Sequence, residues 1–278
     1  MIWVDGRIVA SDRLALPTSD RIFEHGLGLF ETTRTWNGEA RLLRRHLDRM
    51  RRSARTLGIV LDAANLPTLE DVGRLVAANH ISADVLVRVT TSAGRTPDLR
   101  STSWMTIAPL PPAPPRSGYR VTDAAWTVAV DDPLARHKTL NYWSKRIAHE
   151  QAQAIGVDEA VFSSADGRLW EASRGNLFVV IGRDLITPPE SGPIIPGIMR
   201  RLALDLAHLA GLSATEADVD GAMIGVADEI FLTNSVRSLI PVGRWSGRDY
   251  RPTNPSFPQT SRLQSEIQAY LTSASPRP

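Results

Sequence analysis

The chain has 278 residues, 42% of them hydrophobic and 22% charged, with a formal net charge of +2. That length can bury a substantial core as one large domain or two modest ones, and so even a charge balance argues against a nucleic-acid-binding surface. The absence of cysteine excludes disulfides, thiol catalysis and Cys-ligated metal sites. The six histidines show no metal-ligand spacing, and no G-x-S-x-G serine elbow occurs. The N-terminus turns polar at once and no run approaches the ~18 apolar residues of a membrane span, so a soluble, cytoplasmic protein is expected.

Residues 2–10 alternate around Asp5-Gly6, which predicts a β-hairpin. From Leu42 to about Leu57 the apolar positions Leu43, Leu47, Met50 and Ala54 recur every three or four residues, predicting an amphipathic helix stopped at Gly58. A second helix follows Thr68, and strands around 84–91 and 103–109 complete a small α+β unit over residues 1–110. Residues 111–118 contain four prolines and read as a stiff connector. Beyond it, over 119–278, strands at 119–129, 158–163, 168–170, 176–181 and 228–233 alternate irregularly with helices at 141–154, 197–210 and about 261–272. There is no regular βαβ repeat. Two α+β domains meeting at a cleft are expected, and such clefts commonly hold cofactors.

Of the 32 basic residues, 30 are arginines and only two are lysines, Lys138 and Lys145. A guanidinium keeps its proton in proteins, whereas an amine can lose it and attack a carbonyl. A retained lysine is therefore either drift or the mark of such a job. Lys138 follows a strand end and precedes the helix predicted near Asn141, and it is the stronger of the two for that role. Lys145 lies within the helix among Ser144, Arg146 and Glu150 and reads as a surface residue.

An enzyme that uses pyridoxal phosphate also needs an anion for the ring nitrogen, a phosphate cradle and groups that orient the substrate. Glu171, at the end of an apolar strand, is either that anion or a solvated turn carboxylate. Pro196-Gly197 runs straight into an apolar-periodic helix, whose first N–H groups either face an anion or succeed an ordinary proline turn. Thr233-Asn234-Ser235, after the strand Glu229–Leu232, offers a second anion contact. Gly26-Leu27-Gly28 superficially resembles a dinucleotide fingerprint but lacks the third glycine. His46 falls on a helical pattern, where a surface histidine is the default.

Ser19-Asp20-Arg21, Gly26 to Thr32, His46-Leu47-Asp48-Arg49, Lys138-Thr139-Leu140-Asn141, Glu171 to Phe178 and Pro196 to Arg200 occur in that order. Together they resemble the class IV aminotransferases, the pyridoxal-phosphate enzymes of fold type IV. The resemblance implies a two-domain α+β fold, with a smaller N-terminal domain, a larger C-terminal one and the cofactor in the interdomain cleft. It also implies a homodimer. Lys138 then forms the Schiff base with pyridoxal 5′-phosphate and shuttles the proton, while Glu171 pairs with the pyridine nitrogen. The phosphate falls to Arg49, to the N–H groups of Ile198 and Met199 behind Gly197, and to Ser235 with Asn234. Tyr142 is assigned to the phenolic oxygen, one residue closer to the lysine than in branched-chain enzymes.

The reaction is read from departures within the family. Phe30-Glu31-Thr32 and Glu171-Ala172-Ser173-Arg174-Gly175-Asn176 differ from the Phe-Glu-Gly and Glu-Gly-x-Gly-Glu-Asn runs of branched-chain enzymes. Thr32 matches a threonine of the 4-amino-4-deoxychorismate lyases. Arg174, three residues after Glu171, suits a substrate carboxylate, and Arg34, Arg88 and Arg95 are further candidates. The expected activity moves an amino group from a D-amino acid or (R)-amine to a 2-oxo acid. The alternative is pyruvate elimination by a lyase, with a branched-chain L-amino-acid aminotransferase behind it. No metal, nucleic acid or membrane enters this expectation.

Overall fold

The computed structural model describes residues 1–95, 100–250 and 257–273. The chain divides into two compact units, Met1–Pro111 with His137–Tyr142, and Pro112–Arg136 with Trp143–Pro278. The passage from the first unit to the second thus falls in the proline-rich segment. One stretch departs from the expected 119–278 block: His137–Tyr142 belongs to the first unit because it hydrogen-bonds along a strand there.

In the first unit β1 (Ile2–Val4), β2 (Arg7–Val9), β3 (Gly28–Arg34), β4 (Val85–Ser92) and β5 (Ser103–Pro109) form an antiparallel sheet in the order β2-β1-β5-β4-β3. The helices are α1 (Arg21–His25), α2 (Leu43–Thr56) and α3 (Leu69–Ala78). The β1–β2 hairpin turns on Asp5 and Gly6, both at positive φ (43° and 88°), as a tight two-residue hairpin loop requires. Thr68 caps α3 through a reciprocal capping box with Asp71. From α2, Leu43, Leu47, Met50 and Ala54 pack with Leu29, Val87, Val89 and Met105 of the sheet. Each large apolar side chain so buried contributes on the order of 1.5–3 kcal/mol.

In the first unit the sequence pattern predicted neither strand β3 nor the short helix α1. Side chains alternate along β3, so Leu29, Glu31 and Thr33 share the face toward α2, while Phe30, Thr32 and Arg34 share the other. Segment 137–142 pairs with β3 through Lys138 and Leu140: Phe30 N donates to Lys138 O and Leu140 N to Gly28 O, both at 3.0 Å. A Cβ on Gly28 would lie 2.6 Å from both Leu140 Cδ1 and Thr91 O, so only glycine admits this pairing. The extended pairing also explains why the helix expected from Asn141 starts at Trp143.

The second unit contains β6 (Tyr119–Asp123), α4 (Trp143–Ala154), β7 (Glu159–Ser163), β8 (Arg168–Ala172), β9 (Gly175–Ile181), β10 (Asp184–Thr187) and α5 (Ile198–Leu206). It continues with β11 (Ser213–Glu216), β12 (Val219–Asp220), α6 (Gly221–Val226), β13 (Glu229–Asn234), β14 (Ser238–Trp245), β15 (Arg248–Asp249) and α7 (Pro258–Thr272). The sheet runs β11-β10-β9-β13-β14-β6-β7-β8-β12, and an additional β8–β9 pairing closes the strands from β9 to β8 into a barrel. Its core includes Val121, Val161, Leu169, Leu177, Val179, Ile230, Leu232, Ile240 and Val242. Strand β6 is shorter than the 119–129 expected, because Asp123 ends it by accepting from Trp245 Nε1 and Ser246 Oγ. The helix expected over 197–210 is α5 followed by a 3₁₀ turn at Ala207–Ala210.

A bulge in β8 turns Glu171 out of the barrel core. Val161 pairs with Ala172 and Ser163 with Leu169, so three steps on β8 oppose two on β7. Leu169 and Ala172 both remain in the core, and Trp170 and Glu171 point away from it. Among the described residues no helix is long and apolar enough to cross a membrane. Among the same residues no group of three or more His, Asp or Glu could hold a metal ion.

Candidate active site

In the second unit the chemistry gathers around Glu171, which is buried. It stands in a row across three strands: Thr233 on β13 is opposite Asn176 on β9, and Asn176 is opposite Glu171 on β8. Asn176 Nδ2 donates to Glu171 Oε2 at 3.3 Å and the Ile195 N–H donates to the same oxygen at 3.1 Å. Lys145 Nζ donates to Oε1. The reading of Lys145 as a surface residue is therefore corrected: its side chain is only 17% exposed and ion-pairs with Glu171. The reading of Glu171 as a solvated turn carboxylate falls with it. At the other end of the row, Thr233 Oγ1 is buried and has no hydrogen-bond partner among the described residues.

Asn176 also joins Glu171 to the start of α5. Its Nδ2 donates to Ile195 O at 2.9 Å, and Gly197, the N-cap of α5, carries no side-chain cap. The backbone N–H groups of Ile198 and Met199 open this helix, where the dipole favours an anion. A Cβ at Gly197 would lie 1.9 Å from Asn176 Oδ1. We expect Gly197→Ala to displace Asn176 and lower stability by about 1–3 kcal/mol, measured by urea unfolding. A variant as stable as the parent would contradict this packing.

In the first unit Lys138 Nζ lies 4.3 Å from the Phe30 ring centroid and 4.9 Å from that of Tyr142, and the two rings meet edge to face at 5.2 Å. The Arg88 guanidinium is 3.9 Å from the Phe30 centroid. Thr32 is directly opposite Arg88 in the β3–β4 register, so it shares this face. Burial lowers the pKa of Arg88, and among the described residues no carboxylate pairs with it. Lys138, Tyr142, Phe30, Thr32 and Arg88 thus form one group on the sheet face opposite α2.

The α2 face holds a buried charge cluster. Arg49 grips Glu31 through Nε to Oε1 at 2.8 Å and Nη2 to Oε2 at 2.6 Å. Burial alone would raise the Glu31 pKa, but the Arg49 guanidinium and His46 outweigh it and hold the carboxyl at about 2. His46, expected at the surface, is 1% exposed. Burial outweighs the attraction of Glu31 and lowers the pKa of His46. Because ionised Glu31 only accepts, His46 Nδ1 carries the proton and donates to Oε2 at 2.6 Å. Nε2 is buried with no partner among the described residues. Glu31 and His46 escaped the sequence reading, although the spacing of His46 and Arg49 with Leu43, Leu47 and Met50 places both on the buried stripe of α2.

The remaining candidates have other partners. Arg174 Nε donates to the buried Glu159 at 2.6 Å, a carboxylate also held by Ser173 Oγ. Arg34 pairs with Asp84 at 3.5 Å and lies 4.0 Å from the Trp36 centroid. Arg95 forms a backbone bridge with Asp20. Asn234 Oδ1 accepts from Val236 N and Arg237 N (3.1 and 2.8 Å), so this oxygen shapes the β13–β14 turn that carries Ser235.

Residues 28–245 match the family model of amino-transferase class IV. A Methanocaldococcus jannaschii protein named as a branched-chain-amino-acid aminotransferase is 30% identical over 82% of this chain and 83% of its own length. Aminodeoxychorismate lyase of Bacillus subtilis is 29% identical over 95% and 92% of the two chains. The solved branched-chain aminotransferase of Thermoproteus uzoniensis, determined with norvaline, matches at a TM-score of 0.84 and 25% identity. That match covers 97% of this chain and 94% of the other. With the fold of the type IV enzymes and a family match over most of its length, the chain belongs to the class IV aminotransferases, which use pyridoxal phosphate.

Proposed function

We propose that this protein transfers an amino group from an amino acid to a 2-oxo acid, with Lys138 as the reacting amine. The buried Glu171 carboxylate carries the reading. A carboxylate held in place by Asn176 and the Ile195 N–H suits a pyridine nitrogen, and the Thr233 hydroxyl in the same row, without a partner among the described residues, suits a polar ligand. Pyridoxal phosphate, when bound, supplies a conjugated ring that takes up the electron pair left when a substrate carbon loses its proton. Glu171 supplies the anion that favours a proton on the ring nitrogen. The Ile198 and Met199 N–H groups, Ser235 and Arg49 bind the phosphate. Lys138 Nζ holds the cofactor and moves the proton to and from the substrate carbon, with the Tyr142 hydroxyl at the phenolic oxygen. The working enzyme is a homodimer.

For the substrate carboxylate the reading favours Arg88, a half-buried cation without a carboxylate partner among the described residues, over Arg174 and Arg34, which already pair with Glu159 and Asp84. The pairing with Glu159 removes Arg174 from the argument for a D-amino acid or (R)-amine donor, while the departures from the branched-chain runs at Thr32 and at Ala172-Ser173-Arg174 stand. The branched-chain names of the Methanocaldococcus and Thermoproteus proteins favour L-leucine as donor. Thr32 beside Arg88 favours a second reading, the lyase, to which the Bacillus relative belongs by name. Half-reactions with L-leucine, D-alanine, (R)-phenylethylamine and aminodeoxychorismate decide among them. We expect L-leucine to convert the bound cofactor to its amine form. Pyruvate release from aminodeoxychorismate without that conversion would replace this reading with the lyase.

A further inference from the structure

We propose that Lys145 is a positioning residue that shares Glu171 with the cofactor's ring nitrogen and so loosens that nitrogen's hold on its proton. The inference rests on the pyridoxal-phosphate reading above. Glu171 Oε2 accepts from Asn176 and Ile195, and Oε1 accepts from Lys145, so an ammonium already balances the carboxylate that the ring nitrogen needs. The side chains are only 17% and 5% exposed, and at that depth the pair is weakly screened. Without the cofactor, Lys145 contributes positive charge beside the buried Glu171 carboxylate. With the cofactor, the carboxylate is divided between ammonium and pyridine, and it draws a proton onto the ring less strongly than an unshared carboxylate does. The ring becomes a weaker electron sink.

The chemistry also accounts for the second lysine in an arginine-dominated chain. A compact ammonium on a flexible stem takes one carboxylate oxygen, whereas the guanidinium fork is built to take both. The distribution between Lys145 and the ring nitrogen needs that single-oxygen contact.

The test uses the full chain loaded with pyridoxal 5′-phosphate labelled with ¹⁵N at the ring nitrogen. In the parent protein the ¹⁵N resonance is expected between the pyridine and pyridinium positions. In Lys145→Met it moves to the pyridinium position and the cofactor's dissociation constant falls about tenfold, the equivalent of one pKa unit. The melting temperature of the cofactor-free variant drops while that of the loaded variant holds. Lys145→Gln gives the same readouts should the Met variant not fold, whereas Lys145→Arg, whose fork takes both carboxylate oxygens, keeps the charge but shifts the resonance towards the pyridine position. An unmoved resonance, with cofactor-free and loaded forms destabilised alike, would reduce Lys145 to a structural ion pair while leaving the pyridoxal-phosphate reading intact. A parent protein that takes up no pyridoxal phosphate overturns both.

Discussion

Lys138→Ala is expected to give a folded but colourless protein whose amino-transfer turnover is at least ~10³-fold below the parent's, within the range that positioned proton-transfer groups supply. The reason is chemical: among the described residues no other amine stands with Lys138 beside Phe30, Tyr142 and Arg88 on that face of the first sheet. The measurement is the cofactor's visible absorption together with single-turnover transfer. Turnover within tenfold of the parent would remove Lys138 from the mechanism.

Glu31→Ala is expected to cost about 3–5 kcal/mol of stability, because it takes from the buried Arg49 guanidinium the carboxylate it grips with two nitrogens and removes the acceptor of His46 Nδ1. The same cluster makes stability depend on acid. Glu31 titrates at about 2 in the folded protein against 4.5 as its ordinary value, so the unfolded chain binds its proton first as pH falls. The stabilisation is complete above about pH 4.5 and is lost as pH falls through the folded value near 2. Urea unfolding between pH 6 and 3 checks this as the parent minus Glu31→Gln difference. That difference is expected to narrow towards the acid end. A constant difference would contradict the role of Glu31.

The parts legible in the sequence were those whose signal is local. The Asp5-Gly6 hairpin, the three- and four-residue spacing of α2 and the Thr68 cap of α3 each declare themselves within a few residues. Lys138 and Glu171 drew attention as residue types with a chemical reason to be where they are. Strand β3 was hidden because Glu31 and Arg34 interrupt its apolar pattern, and Glu31 is tolerated inside only through partners on α2, 15 and 18 residues away. Lys145 was misread for the same reason, since Glu171 lies 26 residues on and reaches it only because the β8 bulge turns it out of the barrel core. Buried charge is stabilised by long-range partners, and sequence spacing does not reveal them.

The contact between Lys145 and Glu171 makes Lys145 the rival attachment point, so the most direct measurement is the position of the covalent tag. The protein is loaded with pyridoxal 5′-phosphate, reduced with borohydride, digested and mapped by mass spectrometry. The phosphopyridoxyl group is predicted on Lys138. A tag on Lys145, or no tag on either lysine, would contradict the central claim.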